Sequence, residues 1–119
     1  MRLGIIESPY AGDVERNKAY AQAALLDCLR RGEAPLASHL LYTQVLDDTK
    51  PEERSLGVEA GLAWGAQAAL VAVYEDFGVS PGMALGVERA LAAGRPVEYR
   101  SLPGWTVQPG GWTRPSPVG

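Results

Sequence analysis

Two patterns of hydrophobic and polar positions alternate along the chain. Short apolar runs are typical of buried strands, and longer segments with apolar residues every three or four positions are typical of amphipathic helices. The apolar runs occupy residues 3–6, 34–38, 69–74 and 96–100, and the helical segments occupy about 13–31, 49–67 and 80–94. This alternation predicts right-handed βαβ crossovers and a parallel sheet that is covered on both faces.

Residues at the helix ends support these boundaries. Asp13 suits the N-cap of the first helix, and Gly32 suits its C-terminal end. Thr49 followed by Glu52 has the spacing of a capping box for the second helix. We expect an inward apolar stripe on this helix, made of Leu56, Ala60, Ala63, Trp64 and Gln67. Ser80 and Pro81 are typical of the start of the third helix.

The remaining segments are less regular. Residues 39–48 have no clear period, and we interpret them as a loop that contains a helical turn. The prediction is therefore one α/β domain over residues 1–102 and a C-terminal arm, rich in proline, glycine and tryptophan, over 103–119. Residues 105–107 could form an added edge strand, or the arm could pack on a neighbouring subunit.

Composition excludes several classes of protein. Hydrophobic residues make up 46% and charged residues 21%, with a net charge of −3, so a nucleic acid polymer is not an expected partner. One cysteine, Cys28, and one histidine, His39, cannot form a Cys/His zinc site. The apolar runs are shorter than the roughly 18 residues of a membrane span. The chain matches neither a phosphate-binding Walker loop nor a dinucleotide fingerprint. We therefore expect no membrane segment, no metal or cofactor, and a cytoplasmic location.

Two predicted loops are candidates for a ligand site, because parallel sheets bind ligands beyond the carboxyl ends of their strands. If strand one is central, the switch point lies between strands one and three and brings together residues 8–12 and 75–82. Ser8 and Tyr10 would supply hydroxyl groups, and Gly12 would allow close backbone approach. An ordinary turn is the alternative interpretation of this loop.

The second loop leads into the Ser80 helix. Ser80, Pro81 and Gly82 could cradle a phosphate or carboxylate group. Capping alone also explains Ser80 and Pro81, but Gly82 inside a first turn costs roughly 0.5–1 kcal/mol relative to alanine. Glu75 and Asp76 could serve as general acid and base or bind sugar hydroxyls, or they could be solvated loop charges.

Two further ionisable residues are candidates. His39, after strand two, could act as a base, could bind a nucleobase, or could be structural. Glu88 lies about two turns into the third helix, a position more typical of an exposed or salt-bridged residue than of a catalytic one.

Several segments resemble one known domain. They are residues 7–13, Asn17, and residues 38–44, 53–61 and 78–83, which include Met83. Over residues 3–102 the chain resembles a small uncharacterised domain common in phages and their bacterial hosts. That domain is similar to nucleoside 2-deoxyribosyltransferases and 2′-deoxynucleoside 5′-phosphate N-hydrolases.

The resemblance implies a flavodoxin-like three-layer sandwich with a central parallel sheet of four to five strands. It also implies a homo-oligomer with a nucleoside or nucleotide in the crevice. Ser80 matches a serine that helps to hold phosphate in the enzymes. Their nucleophilic glutamate corresponds to Gly86, and their assisting aspartate corresponds to Gly61. Glu88 is two residues beyond the first position, about 200° around the helix.

Three hypotheses follow. The first is an enzyme that acts on an N-glycosidic bond through Tyr10 and one of Glu75, Asp76 or Glu88, or through a carboxylate of another subunit. Its ligand-binding residues would be Ser8, Gly12, Asn17, His39, Ser80, Gly82 and Met83. The second is a catalytically silent protein that sequesters or senses a nucleotide during phage infection. The third is an oligomeric structural module with a vestigial crevice.

Overall fold

A computed structural model describes residues 1–105 of the chain. The strands are β1 (Arg2–Glu7), β2 (Glu33–Leu36), β3 (Leu70–Tyr74) and β4 (Val97–Arg100). The α-helices are α1 (Val14–Arg30), α2 (Ser38–Leu41), α3 (Pro51–Gly65) and α4 (Pro81–Ala92), and a 3₁₀ turn (Tyr42–Gln44) follows α2. The helical turn expected within residues 39–48 is thus α2 together with the 3₁₀ turn.

The four strands form one parallel sheet in the order β2-β1-β3-β4. Gly4 pairs with Leu70 across the central strands, and Tyr74 pairs with Arg100 at the β4 edge. The strand order changes direction between β1 and β3, because the chain moves outward to β2 and then crosses back to β3. The predicted α/β fold, with strand one central, is therefore confirmed.

Each face of the sheet carries its own apolar core. One core lies under α1 and contains Ile6, Tyr20, Ala24, Cys28, Ala37, Leu70, Ala72, Tyr74 and Leu102. The other lies under α4 and contains Ile5, Val71, Val73, Met83, Val87 and Ala90. β3 is buried at all five positions because it contributes side chains to both cores.

The ends of α1 and α4 form as their sequences predict. The Asp13 side chain accepts a hydrogen bond from the Arg16 N–H, and Gly32 follows α1 with φ of +80°. The Ser80 hydroxyl accepts a hydrogen bond from the Met83 N–H, and the Ser80 N–H donates to the Met83 sulfur. These bonds satisfy backbone N–H groups at the start of α4 and fix Ser80 as its first boundary.

The stripe predicted for α3 is wrong. Leu56 and Trp64 are 56% and 53% exposed, and no residue of α3 is fully buried. Its inner face is instead made of Gly57, Gly61 and Gly65, which lie at successive helical turns. A Cβ at each of these positions would contact, respectively, Leu46, Ser38 or Ile5. Gly57 and Gly61 let α3 approach the protein closely, and Leu56 and Trp64 point outward.

The capping box predicted at Thr49 is also absent. The Thr49 hydroxyl donates to Asp47 Oδ1 at 2.6 Å, and Lys50 occupies the N-cap position without a side-chain cap. Asp47 thus uses the hydroxyl that the capping box would need. α3 begins instead at Pro51, whose fixed φ suits the first helical position.

The predicted C-terminal arm is described only as far as Trp105. Its indole packs edge-on against Tyr20, with ring centroids 4.9 Å apart, and against Phe77 at 5.8 Å. The edge strand considered for residues 105–107 lies largely outside the described residues. Within residues 1–105, none of the helices has the length and apolar character needed to cross a bilayer.

A buried ion pair joins the two edge strands of the sheet. Arg100 of β4 donates to both carboxylate oxygens of Glu33 of β2, at 2.8 and 2.7 Å. Both side chains are nearly inaccessible to solvent. Hydrogen bonding to Arg100 holds the pKa of Glu33 below its ordinary value. Arg100 also bonds the exposed Glu98 at 2.7 Å.

Candidate functional site

A crevice opens beyond the carboxyl ends of β1 and β3, at the predicted switch point. Its cavity volume is about 190 Å³, and the crevice is open to solvent on one side. Six of the predicted site residues line it: Ser8, Tyr10, His39, Ser80, Gly82 and Met83. The loop after β1 and the start of α4 therefore lie on the same crevice.

Ser8 and His39 form a polar pair on one wall of the crevice. The Ser8 hydroxyl and His39 Nε2 are 2.6 Å apart, and the loop after β1 is thereby joined to α2. Burial lowers the pKa of His39 to about 4, so the imidazole is neutral at neutral pH. A neutral imidazole can donate or accept a hydrogen bond, which suits recognition of a polar ligand group.

Tyr10 is held in the crevice by its own loop. The buried Asn17 side chain donates to the backbone oxygens of Tyr10 and Ala11, at 2.9 and 3.0 Å. Gly12 adopts φ of +98°, a conformation that favours glycine, and turns the chain into α1. Asn17 and Gly12 do not line the crevice, so their contribution is to position Tyr10.

A cationic side chain lies at the start of α4. The Arg54 guanidinium, from α3, is about 4.0 Å from the place that a Gly82 side chain would occupy. It also pairs with Asp48 at 3.5 Å, and both residues line the crevice. In the first turn of α4, Pro81 has no N–H, and the Met83 N–H donates to the Ser80 hydroxyl. The Gly82 N–H is therefore the backbone donor that this turn offers, near the positive end of the helix dipole. This end of the crevice is therefore suited to an anion.

The floor of the crevice contains a carboxyl group that the sequence interpretation did not select. Glu7 ends β1, and its side chain packs over the buried Gly86 of α4. A Cβ on Gly86 would overlap Glu7 Oε2 and would lie 2.7 Å from Glu7 Cδ. The absence of a side chain at residue 86 is what makes room for Glu7.

Among the residues that the structure describes, the Glu7 carboxyl group has no compensating partner. Within residues 1–105 it makes no hydrogen bond or ion pair. Burial alone raises its pKa to about 8, so the protonated form predominates at neutral pH. An unpaired carboxyl group of this kind, at a crevice floor, is typical of a functional site.

The three carboxylates proposed from the sequence lie away from the crevice. Asp76 is buried under α1, where its Oδ2 accepts from the Tyr20 hydroxyl at 2.6 Å and from the Leu102 N–H at 2.9 Å. The Glu75 N–H donates to the Arg100 backbone oxygen, and Glu88 is on the exposed face of α4. None of the three lines the crevice. Their catalytic roles stay predictions that this geometry does not favour.

Glu7 and Arg54 are the residues that sequence reasoning missed. Glu7 ends an apolar run and could have been read as strand or loop, and only the approach of α4 shows where its carboxyl group lies. In the sequence, Arg54 is one of several charged residues in a predicted helix, so its position on the crevice could not be recognised. Gly86 was the available signal, because a glycine in the middle of a helix needs a packing reason. Among residues 1–105 there is no cluster of three metal-binding side chains.

The strand order defines the protein as a flavodoxin-like α/β protein with a crevice at its switch point. The chain belongs to the family described as Domain of unknown function (DUF7768), which matches residues 2–100. No curated protein matches its sequence.

Among solved structures, the chain is similar to the 2-deoxyribosyltransferase from the psychrotolerant bacterium Bacillus psychrosaccharolyticus. The TM-score is 0.59, and the identity is 16% over 89% of this chain and 77% of that enzyme. At this identity the similarity shows that the two proteins share a fold.

Proposed function

We propose that the protein binds a nucleoside or nucleotide in the crevice and acts on its N-glycosidic bond, as a hydrolase or a deoxyribosyltransferase-like enzyme. The observation that carries this proposal is the presence, in one crevice, of an anion-binding end and an unpaired carboxyl group. Cleavage of a glycosidic bond through an oxocarbenium-like state requires a carboxylate near the anomeric carbon. The fold shared with a 2-deoxyribosyltransferase supports the same reaction class.

The charges favour a 5′-monophosphate. Phosphate would lie at the start of α4, beside Ser80, Gly82 and Arg54, where the Gly82 N–H and a guanidinium can bind it. The sugar would then extend towards Glu7. The apolar side chains of Val58 and Leu62, from α3, would pack against the base.

A second candidate is a nucleotide-binding protein that does not cleave its ligand. The observation that favours it is that Gly61 and Gly86, the positions of the enzymes' two carboxylates in the resemblance, both line the crevice without a side chain. Such a protein would sequester or sense a nucleotide, in the phage-associated setting that the resemblance implies.

The test is a panel of ribo- and deoxyribonucleosides and their 5′-monophosphates. Thermal shift reports binding, and chromatography reports free base. We expect stabilisation and base release with at least one monophosphate. A ligand at 100 times its Kd adds about 2.7 kcal/mol. Stabilisation without base release would favour the silent binder. The absence of both stabilisation and base release would contradict both candidates.

Arg54→Gln provides a matched check of the phosphate end. It is expected to weaken monophosphate binding about tenfold, because a charge-assisted contact contributes roughly 1.5 kcal/mol or more. Nucleoside binding should be unchanged. Equal weakening of both ligands would place the phosphate elsewhere.

We also propose a homo-oligomer. Leu41, Leu56 and Trp64 are each about half exposed on α2 and the outer face of α3, and a second copy of the chain would cover them. Light scattering should give a mass above that of one chain. Leu56→Lys should shift the protein towards the monomer, and a monomeric wild-type protein would contradict the proposal.

A further inference from the structure

We infer that Glu7 is the nucleophile of this site, and that Gly86 leaves the space in which its carboxyl group lies. The inference rests on the proposed function, since it names the group that attacks the sugar. It concerns a residue at the end of a strand, whose carboxyl group reaches the crevice through a gap in the facing helix.

The gap in α4 is specific to residue 86. Gly86 is buried and lies in the second turn of the helix, where glycine costs about 1 kcal/mol relative to alanine. Nothing in the helix backbone requires it, because Gly86 does not adopt a positive φ. The Glu7 carboxyl group requires a glycine at residue 86, because any side chain there would occupy the same space.

The surroundings of Glu7 suit a nucleophile. Its carboxyl group packs against α4, and no described residue forms a hydrogen bond or ion pair with it, so its oxygens are not already engaged by the protein. The polar groups that share the crevice are Ser8, Tyr10, His39, Asp48 and Arg54. Of these, Arg54 already pairs with Asp48, and Ser8 already pairs with His39.

The reaction has two steps. The minority of Glu7 that is ionised at neutral pH attacks C1′ of the sugar, and a C1′–O bond forms as the C1′–N bond breaks. The base leaves with the bonding electron pair and takes up a proton from water. A water molecule then attacks C1′, the ester bond breaks, its electron pair returns to Glu7, and the proton of the water passes to solvent.

Glu7→Gln tests the inference without changing the size of the side chain. Release of free base from the monophosphate found in the panel should fall at least about a thousandfold. The thermal shift caused by that monophosphate should remain. Glu15→Gln, which alters an exposed carboxylate of α1 that does not line the crevice, should release base at the wild-type rate.

A covalent trap gives an independent readout. A 2′-deoxy-2′-fluoroarabinonucleoside 5′-monophosphate slows breakdown of the sugar ester, because fluorine destabilises positive charge at C1′. We expect the mass of the chain to increase by one fluorinated sugar phosphate, located on the peptide that contains Glu7. Gly86→Ala should reduce labelling and base release together, because the added methyl group displaces Glu7.

The outcomes separate this inference from the proposed function. Base release by Glu7→Gln at the wild-type rate, or an adduct on another residue, would overturn the role of Glu7 and leave the activity standing. Wild-type labelling of Gly86→Ala would overturn the role of Gly86. No base release by the wild-type protein from any member of the panel would overturn the activity and the nucleophile together.

Discussion

At the scale of single residues, the crevice contains two ionisable groups whose burial favours their neutral forms. Glu7 has a pKa of about 8, and His39 has a pKa of about 4. In the unfolded chain these groups would have their ordinary values of 4.5 and 6.5. Their effects on stability therefore have opposite signs as the pH changes.

The signs predict an unusual pH profile. The folded protein holds the Glu7 proton more tightly, so this contribution to stability is lost between pH 4.5 and 8. Folded His39 binds its proton less tightly, so its contribution is lost as the pH falls from 6.5 to 4. The wild-type free energy of unfolding should be level between about pH 4.5 and 6.5. It should then fall by at most about 1.4 kcal/mol per pH unit up to pH 8.

Urea unfolding at a series of pH values measures this profile. Glu7→Gln should remove the fall above pH 6.5, and His39→Gln should replace the level region by a continuous fall. Glu88→Gln should follow the wild-type curve. A Glu7→Gln protein that retained the wild-type decline would show that Glu7 is not the buried acid.

At the scale of secondary-structure elements, α3 is held by close approach rather than by an apolar stripe. Gly61 lies against Ser38 of α2, and a Cβ at this position would be 2.6 Å from the Ser38 hydroxyl oxygen. Gly65 has ordinary space, with the nearest Ile5 atom at 3.9 Å from its added Cβ. The two glycines therefore offer a matched comparison.

Gly61→Ala is expected to lower the free energy of unfolding by about 1–2 kcal/mol. Overpacking costs roughly 1–3 kcal/mol and exceeds the gain of about 1 kcal/mol in helix propensity. Gly65→Ala should cause no loss. Chemical denaturation measures both variants, and equal stability of the two would contradict the close packing of α3 on α2.

At the scale of the whole molecule, the two edges of the sheet are joined through the pair of Glu33 and Arg100. Removal of one partner from a buried pair leaves an uncompensated charge and costs about 3–5 kcal/mol. Exposed ion pairs contribute less than about 1 kcal/mol. Glu98, which is about half exposed, contacts the Arg100 guanidinium as well, so it serves as the exposed partner for comparison with the buried Glu33.

Glu33→Gln is expected to lower the free energy of unfolding by about 3 kcal/mol, and Glu98→Gln by less than about 1 kcal/mol. Equilibrium unfolding in urea at neutral pH measures both. Similar small losses from the two substitutions would mean that the buried pair contributes no more than the exposed one.

The sequence by itself determined the elements and their order. The local signals are the short apolar runs, the helical stripes, and the caps at Asp13 and Ser80. These signals were enough to predict β1, α1, β3 and α4 closely. The parallel order and the position of the crevice followed from general rules of chain topology. Ser8, Tyr10 and Ser80 were predicted at the crevice because they stand next to strand ends or helix starts, and all three line it.

Tertiary structure alone decided which side chains meet. Glu7 and Gly86 are 79 residues apart in the numbering, and their complementarity is a matter of a few ångströms between a strand and a helix. The inner face of α3 was misjudged because glycines carry no hydrophobic signal, although they pack closest. Asp76 was a candidate from its position after β3, but its carboxylate is buried under α1 and bonded to Tyr20 and Leu102, which only the packing reveals. Local pattern identifies where a site lies, and packing between distant segments determines its chemistry.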